Sequence, residues 1–481
     1  MTGTAVQMRD KSVRVSHFSI LLALVLAIML LFLTASMIVD ADARQNVSLA
    51  VTSTFALNGA IGFFFFCKSL LNRPFSLSLI HWLFYISMLV IAPFSQYLFG
   101  YSVWGFQLSM DDYFATHLVL TVWAGLFALF SSSRTTGSSS LSMKKFYASF
   151  PKVEDKVALR ALAVSVCATT VVVTLVGVSN LFTRDLFSAD LNKTMGLLFD
   201  KVVRPLPVFS FAVLLVRAKQ QRKTGPAFYI TLALMLIACF PAAMARYNMA
   251  CIYGAVLILA CAPVFEKRGL FALLFLIGFL VVFPAANAYR WETFTFSMFG
   301  EALVGSFVNL PHGFCAVDYD AYSIIARSLK YVTEIGSTNG YQLLGALLFF
   351  VPRSLWPSKP EGSGNLVCAA QGQSVLNISS PLPAEGVVNF GAIGIVIFAV
   401  IAALVCRKLD IWFIESESPL RLFYPFACLL FFFMMRGDLL STFAFSVGYA
   451  VSFAFCLVAC LGPRAAFAGA VANRGGGIAR G

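Results

Sequence analysis

Long apolar stretches without a single charge recur along this chain of 481 residues. They are 17 to 23 residues long, which matches the roughly 20 residues that an α-helix needs to cross the hydrocarbon core of a bilayer. Only 12% of the residues are charged, about half the share of a soluble domain, and no soluble fold could bury the remaining apolar surface. We therefore predict an all-α polytopic membrane protein, which excludes a cytosolic enzyme, a nucleic-acid-binding protein and a secreted disulfide scaffold.

The predicted crossings have a strong asymmetry of charge in the segments that connect them. One side of the membrane would hold 23 basic and 7 acidic residues, and the other side 12 basic and 15 acidic residues. Because basic residues collect on the cytoplasmic side, both termini are predicted to be cytoplasmic. We expect about twelve transmembrane helices, at 18–39, 48–66, 78–98, 115–131, 158–180, 202–216, 227–244, 249–264, 269–288, 387–405, 422–435 and 439–461.

One long segment interrupts the series of crossings. About 98 residues, 289–386, are predicted to form a large, partly helical loop on the side of the membrane opposite the cytoplasm, and loops of this length in compact proteins are usually functional. The apolar run 341–351 is too short to span and is interpreted as a re-entrant segment. The chain thus divides into N-terminal transmembrane helices (1–288), the loop domain (289–386), C-terminal transmembrane helices (387–463) and a cytoplasmic tail (464–481).

The sequence contains no motif for a metal or a nucleotide cofactor. It has no CxxC, HExxH or paired-histidine spacing, no P-loop and no dinucleotide fingerprint in a strand context, so neither a metal site nor any other cofactor is expected. Of the 11 cysteines, only Cys315 and Cys368 fall in the predicted loop. We hypothesise that they form a disulfide if that compartment is oxidising.

Arginines at the predicted outer ends of spans, away from the cytoplasm, are the most informative polar residues. Arg246 and Arg290 each follow an apolar segment that contains Pro-Ala-Ala, Arg353 lies in the loop, and Arg436 lies where a span ends. Any single arginine among them could equally well serve only to contact lipid headgroups with its charged end. Four together, on a side otherwise poor in basic charge, indicate a phosphate or pyrophosphate ligand, because the guanidinium fork matches phosphate oxygens.

Among the acidic residues, Glu385 stands out because it immediately precedes a predicted span. It could act as a general base toward a sugar hydroxyl, or it could equally be the partner of an arginine. Asp438, two residues after Arg436, is interpreted first as the salt-bridge partner of that arginine. His312 and Asp318 are weaker candidates, because a lone loop histidine is more often structural than catalytic.

Several elements between 287 and 438 resemble the Wzy-type oligosaccharide repeat-unit polymerases of O-antigen and exopolysaccharide assembly. The most specific is Pro-Arg-x-x-Trp-Pro-x-Lys-Pro at 352–360. The others are Asn-Ile-Ser at 377–379, Glu385 followed by Asn-Phe-Gly at 389–391, and Arg-Gly-Asp at 436–438. A series of spans with one large, late periplasmic loop is also similar to that family.

The resemblance implies an enzyme of the bacterial inner membrane, active in lipopolysaccharide or exopolysaccharide synthesis. It would transfer a growing glycan from undecaprenyl pyrophosphate to the next lipid-linked repeat unit, without a cofactor. Its implied partners are that lipid-linked oligosaccharide, membrane lipid, and the flippase and chain-length regulator of the pathway, with no nucleic acid. The implied catalytic residues are Arg353, Glu385 and Arg436, and the implied substrate-binding residues are Arg246, Arg290, Lys359, Asn389 and Asp438.

Three alternative functions remain open at this stage. An O-antigen ligase would use the same donor with a different acceptor, and a scaffold of the assembly machinery would have no activity. A flippase or other secondary transporter is less favoured, because the halves show no convincing internal repeat and no ionisable residue lies deep within a predicted span.

Overall fold

The structure is a computed structural model that describes residues 47–132, 143–178, 181, 193–267, 269–286, 295–308, 310–373 and 378–468. Every regular element within these ranges is helical, and the described chain contains no β-strand. The predicted all-α fold class is confirmed to this extent.

The longer helices are labelled in chain order. They are α1 (Leu49–Asn72), α2 (Leu77–Leu98), α3 (Met110–Ser131), α4 (Asp155–Val176), α5 (Leu206–Gln221), α6 (Pro226–Ala238), α7 (Arg246–Ala260), α8 (Leu270–Ala285), α9 (Phe296–Val308), α10 (Ala321–Glu334), α11 (Tyr341–Leu347), α12 (Ser363–Ala370), α13 (Leu382–Glu415), α14 (Tyr424–Arg436) and α15 (Leu439–Leu461). Shorter helical turns lie at Met143–Ala148, Lys193–Leu198, Phe199–Val203, Pro263–Glu266, Leu310–Gly313, Val317–Tyr319, Pro419–Phe423 and Pro463–Ala466.

Seven helices of the described ranges are long and apolar enough to cross a membrane. They are α1, α2, α3, α4, α13, α15, and α14 with the turn before it, and each coincides with a predicted crossing. Helices α6 to α9 are apolar but only 10 to 17 residues long, and α5 has 16 residues. The crossing predicted at 18–39 lies outside the described residues. The chain is therefore a helical membrane protein, while the total of twelve crossings stays a prediction.

Helix α2 is the most deeply packed of these candidates. In its most apolar 18-residue window, 78% of the residues are buried inside the protein, against 28% for α1. Helix α1 therefore has most of its apolar surface free to face lipid. Helix α2 widens into one π-helical turn at Ser87–Ile91, just before Pro93. A proline cannot donate the backbone hydrogen bond that regular α-helix requires there.

Helix α13 is sharply bent near its start, at Phe390 and Gly391. Gly391 has φ 61° and ψ −141°, a conformation that residues with a Cβ rarely adopt. The backbones of Gly386 and Gly394 touch, since a Cβ on Gly394 would lie 1.8 Å from the Gly386 oxygen. The first eight residues, 382–389, therefore fold back against the main helix, which buries Glu385 in the protein.

The described part of the segment 289–386 packs onto the ends of the long helices. Gln96, near the end of α2, donates hydrogen bonds to the carbonyl oxygens of Phe314 (2.9 Å) and Tyr319 (3.0 Å). Helix α10 packs against α13 and α3, and α11 packs against α15. This segment thus covers one end of the helical bundle. The predicted domain limits and the periplasmic placement of this end stay predictions.

Candidate functional site

Two neighbouring carboxylates, one buried and one half-buried, lie where α12, α13 and α15 begin. Glu385 is 1% exposed. Its Oε2 accepts a hydrogen bond from Ser363 Oγ at 2.6 Å, and its Oε1 accepts one from the backbone N–H of Leu439 at 3.0 Å. Ser363 and Leu439 are the first residues of α12 and α15, so this carboxylate joins two helix N-termini, where partial positive charge favours an anion.

Asp438 is the second carboxylate, and it interacts electrostatically with the first. It is the N-cap of α15, and its Oδ1 accepts a hydrogen bond from the backbone N–H of Ser441 at 3.3 Å. Its Oδ2 is buried and faces the start of α12 without a hydrogen bond of standard geometry. The approach requires a glycine at 362, since a Cβ there would lie 2.2 Å from Oδ2. Burial raises the pKa of Asp438 above its ordinary value.

The sequence interpretation expected Arg436 to pair with Asp438, and this expectation is wrong. The Nη2 of Arg436 donates to Oδ1 of Asp320 at 3.1 Å, and the Asp320 side chain is 1% exposed. The Nε of Arg436 is buried and has no hydrogen-bond acceptor among the described residues. Asp438 already serves α15 as its N-cap, so the arginine turns toward the segment that precedes α10.

Arg246 forms a second ion pair on the same turn. Its two terminal nitrogens donate to the two oxygens of Asp318 at 2.7 and 3.3 Å, and its guanidinium lies 4.5 Å from the centre of the Phe283 ring. Tyr319 separates the two aspartates, and both Arg246 and Arg436 lie close enough to act electrostatically on its hydroxyl. The Asp-Tyr-Asp turn is therefore held by arginines from α7 and α14.

An apolar cavity of about 280 Å³ opens beside this turn. Tyr319 forms part of its wall, and helices α8 and α9 form much of the rest. The small side chains on α9 leave the volume between α8 and α9 unfilled. The cavity is lined by Leu280, Pro284, Ala302, Gly305, Ser306, Gly313, Phe314 and Tyr319.

Arg353 and Lys359 stabilise their own turn through backbone oxygens. Arg353 is exposed and donates to the carbonyl oxygens of Lys359 (2.6 Å) and Pro360 (3.3 Å). Lys359 donates to the carbonyl oxygens of Phe349 (2.6 Å) and Val351 (2.9 Å). Burial, with Arg353 as a second cause, lowers the pKa of Lys359. The turn leads directly into 362–363, which contact Asp438 and Glu385.

Asn389 connects α11 to α13 through backbone groups. Its fully buried amide donates to the Glu385 carbonyl at 2.9 Å and accepts from the backbone N–H of Leu343 at 2.8 Å. Arg290 lies outside the described residues. The structure thus places Glu385 beside Asp438, and pairs Arg436 with Asp320 and Arg246 with Asp318 on one turn. The predicted roles of all these residues remain predictions.

Sequence reasoning missed two buried residues of this region, Asp320 and Arg327. The only signal for Asp320 was its place in the Asp-Tyr-Asp pattern at 318–320, two residues after Asp318. Arg327 is fully buried, stacks 4.5 Å from the centre of the Phe106 ring, and donates to Cys368 Sγ at 3.3 Å. Both Cys315 and Cys368 are free thiols in the structure. The hypothesised disulfide is therefore absent, and Cys368 instead faces the guanidinium.

A separate ionic network lies inside the helical bundle. Lys201 Nζ contacts Asp200 at 2.6 Å, Tyr247 Oη at 2.6 Å and Asn248 Oδ1 at 3.1 Å, and Arg204 pairs with the same aspartate at 3.1 Å. The Lys201 backbone and Cβ pack on Gly448, which is nine residues into α15, or about 14 Å along its axis. Ionisable groups therefore do lie deep among the helices, which removes one argument made against transport.

Within the described ranges, no three His, Cys, Asp or Glu side chains are placed to hold a metal ion. Comparison with known proteins found no matching family model, no similar curated protein and no similar solved structure.

Proposed function

We propose that this protein is a membrane glycosyltransferase that polymerises lipid-linked oligosaccharide repeat units, as the Wzy-type polymerases do. The substrate would be a glycan on undecaprenyl pyrophosphate, and the acceptor would be the sugar end of the next lipid-linked unit. The proposal places the reaction at the periplasmic face of a bacterial inner membrane, with both chain termini in the cytoplasm.

One observation supports this function best: an apolar cavity lies next to paired cationic side chains at the end of the helical bundle. Tyr319 lines the cavity of about 280 Å³, and the residues on either side of it pair with Arg246 and Arg436. An isoprenoid chain needs an apolar channel, while its pyrophosphate needs guanidinium or ammonium donors. A lipid with an anionic headgroup meets both requirements at once.

The proposed mechanism gives each group one task. The unused N–H groups of Arg436, assisted by Arg353 and Lys359, would stabilise negative charge that develops on the departing lipid pyrophosphate. Glu385 would accept the proton of the attacking sugar hydroxyl. Asp438, which faces it, keeps a second negative charge nearby, so one proton on the pair relieves their repulsion. The glycosidic bond forms as the bond to pyrophosphate breaks.

The sequence analysis treated these arginines as unpaired and available to phosphate, and the ion pairs change that description. Arg246 and Arg436 already have carboxylate partners, so the two pairs together carry no net charge. The exposed Arg353 and the half-buried Lys359 would therefore supply the additional positive charge that a pyrophosphate requires. Arg246 becomes mainly an anchor of the Asp-Tyr-Asp turn.

The test is polymer formation by purified protein in liposomes, with lipid-linked repeat units extracted from the source cells. We expect Arg436→Ala to lower the rate about 10²–10³-fold and to leave single repeats on the lipid. Arg436→Lys and Arg353→Lys should rescue poorly, because an ammonium lacks the bidentate fork. The matched control is Arg407→Lys, in α13 at the opposite end of the bundle, which should keep full activity.

Two outcomes would contradict the proposal. Wild-type protein that forms no polymer from an intact lipid-linked repeat unit would remove the polymerase function. Full polymer from Arg436→Lys and Arg353→Lys at normal abundance would show that the reaction needs the bidentate guanidinium fork at neither position. Reporter fusions at Ser363 and after Arg474 test the topology, and an active cytoplasmic reporter at Ser363 would contradict the periplasmic site.

Two other functions make different predictions in the same assay. A ligase would attach the glycan once to a different acceptor, without lengthening it. A transporter is favoured by one observation, the buried network of Asp200, Lys201 and Arg204 beside α15. It would move the lipid-linked unit across the liposome membrane and form no new glycosidic bond.

A further inference from the structure

Asp320 is the most fully bonded carboxylate near Arg436. It lies immediately before α10, and both of its oxygens accept hydrogen bonds. Oδ1 accepts hydrogen bonds from Arg436 Nη2 at 3.1 Å and Ser379 Oγ at 2.7 Å, and Oδ2 accepts one from the indole Nε1 of Trp104 at 3.3 Å. Its three donors come from the connection between α2 and α3, from the segment before α13, and from the end of α14.

A carboxylate that is 1% exposed would be costly to bury without a cation. The pairing with Arg436 offsets that cost and holds the guanidinium in one direction. Because the ion pair uses only Nη2 and the Arg436 side chain is still 24% exposed, the guanidinium keeps N–H donors for a ligand. The two neutral donors, from Trp104 and Ser379, hold the carboxylate itself in place.

Asp318 provides the contrast, since it lies on the same turn and pairs with an arginine in a similar way. Both of its oxygens face Arg246, and its side chain is 16% exposed. Trp104 and Ser379 donate to Asp320 and not to Asp318. Asp318 thus secures the turn to α7, whereas Asp320 links the end of α14 to two other segments.

We infer that Asp320 is a positioning residue that sets the orientation of Arg436 toward the lipid pyrophosphate, with Trp104 and Ser379 completing the unit. The inference rests on the proposed function, because Arg436 has a role in catalysis only in that reaction. It assigns Asp320 no contact with the substrate. Its effect on the reaction passes through the guanidinium.

The first test compares the rate of polymer formation in variants of equal abundance. Asp320→Asn should lower the rate about 10–100-fold, because a small misplacement of a catalytic group has effects of that size. Asp320→Glu should recover part of the loss, since it restores the charge. Asp318→Asn, the matched variant, should have a smaller effect. Equal losses in Asp318→Asn and Asp320→Asn would contradict the inference.

The second test separates positioning from a merely structural role. In the Arg436→Gln background, Asp320→Asn should cause no further loss of rate, because the group it positions is already absent. Losses that multiply would show that Asp320 acts independently of Arg436, and would overturn the inference.

The third test needs no activity. The fluorescence of Trp104, obtained as the difference between wild type and Trp104→Phe, should change in Asp320→Asn and Arg436→Gln but not in Asp318→Asn. If wild type makes no polymer while Trp104 responds in this way, the proposed function fails and the structural unit stands. If Trp104 does not respond to Arg436→Gln, the unit does not exist and the inference fails.

Discussion

The two ends of α13 each bury a carboxylate at the start of a neighbouring helix, with different electrostatic surroundings. Asp410 accepts hydrogen bonds from the backbone N–H groups of Leu77 (2.8 Å) and Ser78 (3.3 Å), from Ser78 Oγ, and from the Tyr424 hydroxyl. Glu385 accepts two hydrogen bonds, and its charged neighbour is another acid, Asp438.

The difference indicates what each end is for. Asp410 accepts the free backbone N–H groups of the first turn of α2 and has Arg73 as its charged neighbour, an arrangement that stabilises the fold. Glu385 and Asp438 are two acids held close together, with Glu385 buried, and keeping both ionised there costs folding free energy. Groups arranged in this way are concentrated at functional sites. One end of α13 is therefore interpreted as structural and the other as functional.

The largest effect is expected from Glu385→Gln. The amide keeps the shape of the side chain and removes the proposed base, so the rate of polymer formation should fall about 10²–10⁴-fold without loss of thermal stability. The matched control is Glu361→Gln, an exposed residue of the same segment. Normal polymer from Glu385→Gln would remove the functional interpretation of this end.

Asp410→Ala should act on stability instead. It leaves buried donors of α2 and of Tyr424 without an acceptor, which should lower the free energy of unfolding by about 2–3 kcal/mol. Thermal unfolding in detergent measures this, and the activity of the protein that remains folded should match wild type. An activity loss in fully folded Asp410→Ala would erase the contrast between the two ends.

Gly362→Ala should disturb the acidic pair by steric contact. The backbone at 362 is one that alanine adopts readily (φ −64°, ψ 147°), so the effect comes from the new Cβ, which would lie 2.2 Å from Asp438 Oδ2. We expect a loss of about 1–2 kcal/mol in stability, together with reduced activity. Gly125→Ala is the control, because its Cβ would meet open space in α3.

Asp438→Asn should give the smallest effect, with a sign opposite to that of Asp410→Ala. Burial raises the pKa of Asp438 above its ordinary 3.8. The folded protein therefore binds the carboxyl proton of Asp438 more tightly than the unfolded chain does. The stability that this proton adds is present below pH 3.8 and is lost as the pH rises through the pKa of the folded state.

Because asparagine also serves as an N-cap, Asp438→Asn should melt roughly 1–2 °C above wild type at pH 7. The difference should disappear as the pH falls below about 4. Melting curves across this pH range provide the measurement. A variant less stable than wild type at pH 7 would show that the charge of Asp438 stabilises the fold.

Much of the fold could be predicted because helix formation and membrane insertion depend on local sequence. The seven long apolar helices coincide with predicted crossings, since each is recognised from about 20 consecutive residues. The short helices α6 to α8 were predicted as full crossings. Helix α6 ends just before Phe240-Pro241, and α8 contains a π-helical turn at Gly278–Val282. Apolar composition alone indicates neither interruption.

The candidate site was predicted in part. Glu385, Arg436 and Asp438 were identified because each lies at the end of an apolar segment. Their partners were not, because they depend on long-range packing: Arg436 pairs with Asp320 across 116 residues of sequence, and Glu385 contacts Leu439 across 54. The pairing of Arg436 with Asp438 was expected from proximity in the sequence, but Asp438 caps α15 instead.

The sequence by itself determined that this chain is helical and embedded in a membrane, because length, apolarity and charge are properties of each segment alone. Only the tertiary structure decided which charges neutralise one another and which carboxylates share a buried space. The bend at Gly391 turns Glu385 inward, and the starts of α12 and α15 meet it there. Such contacts depend on the relative placement of distant helices, which no local pattern encodes.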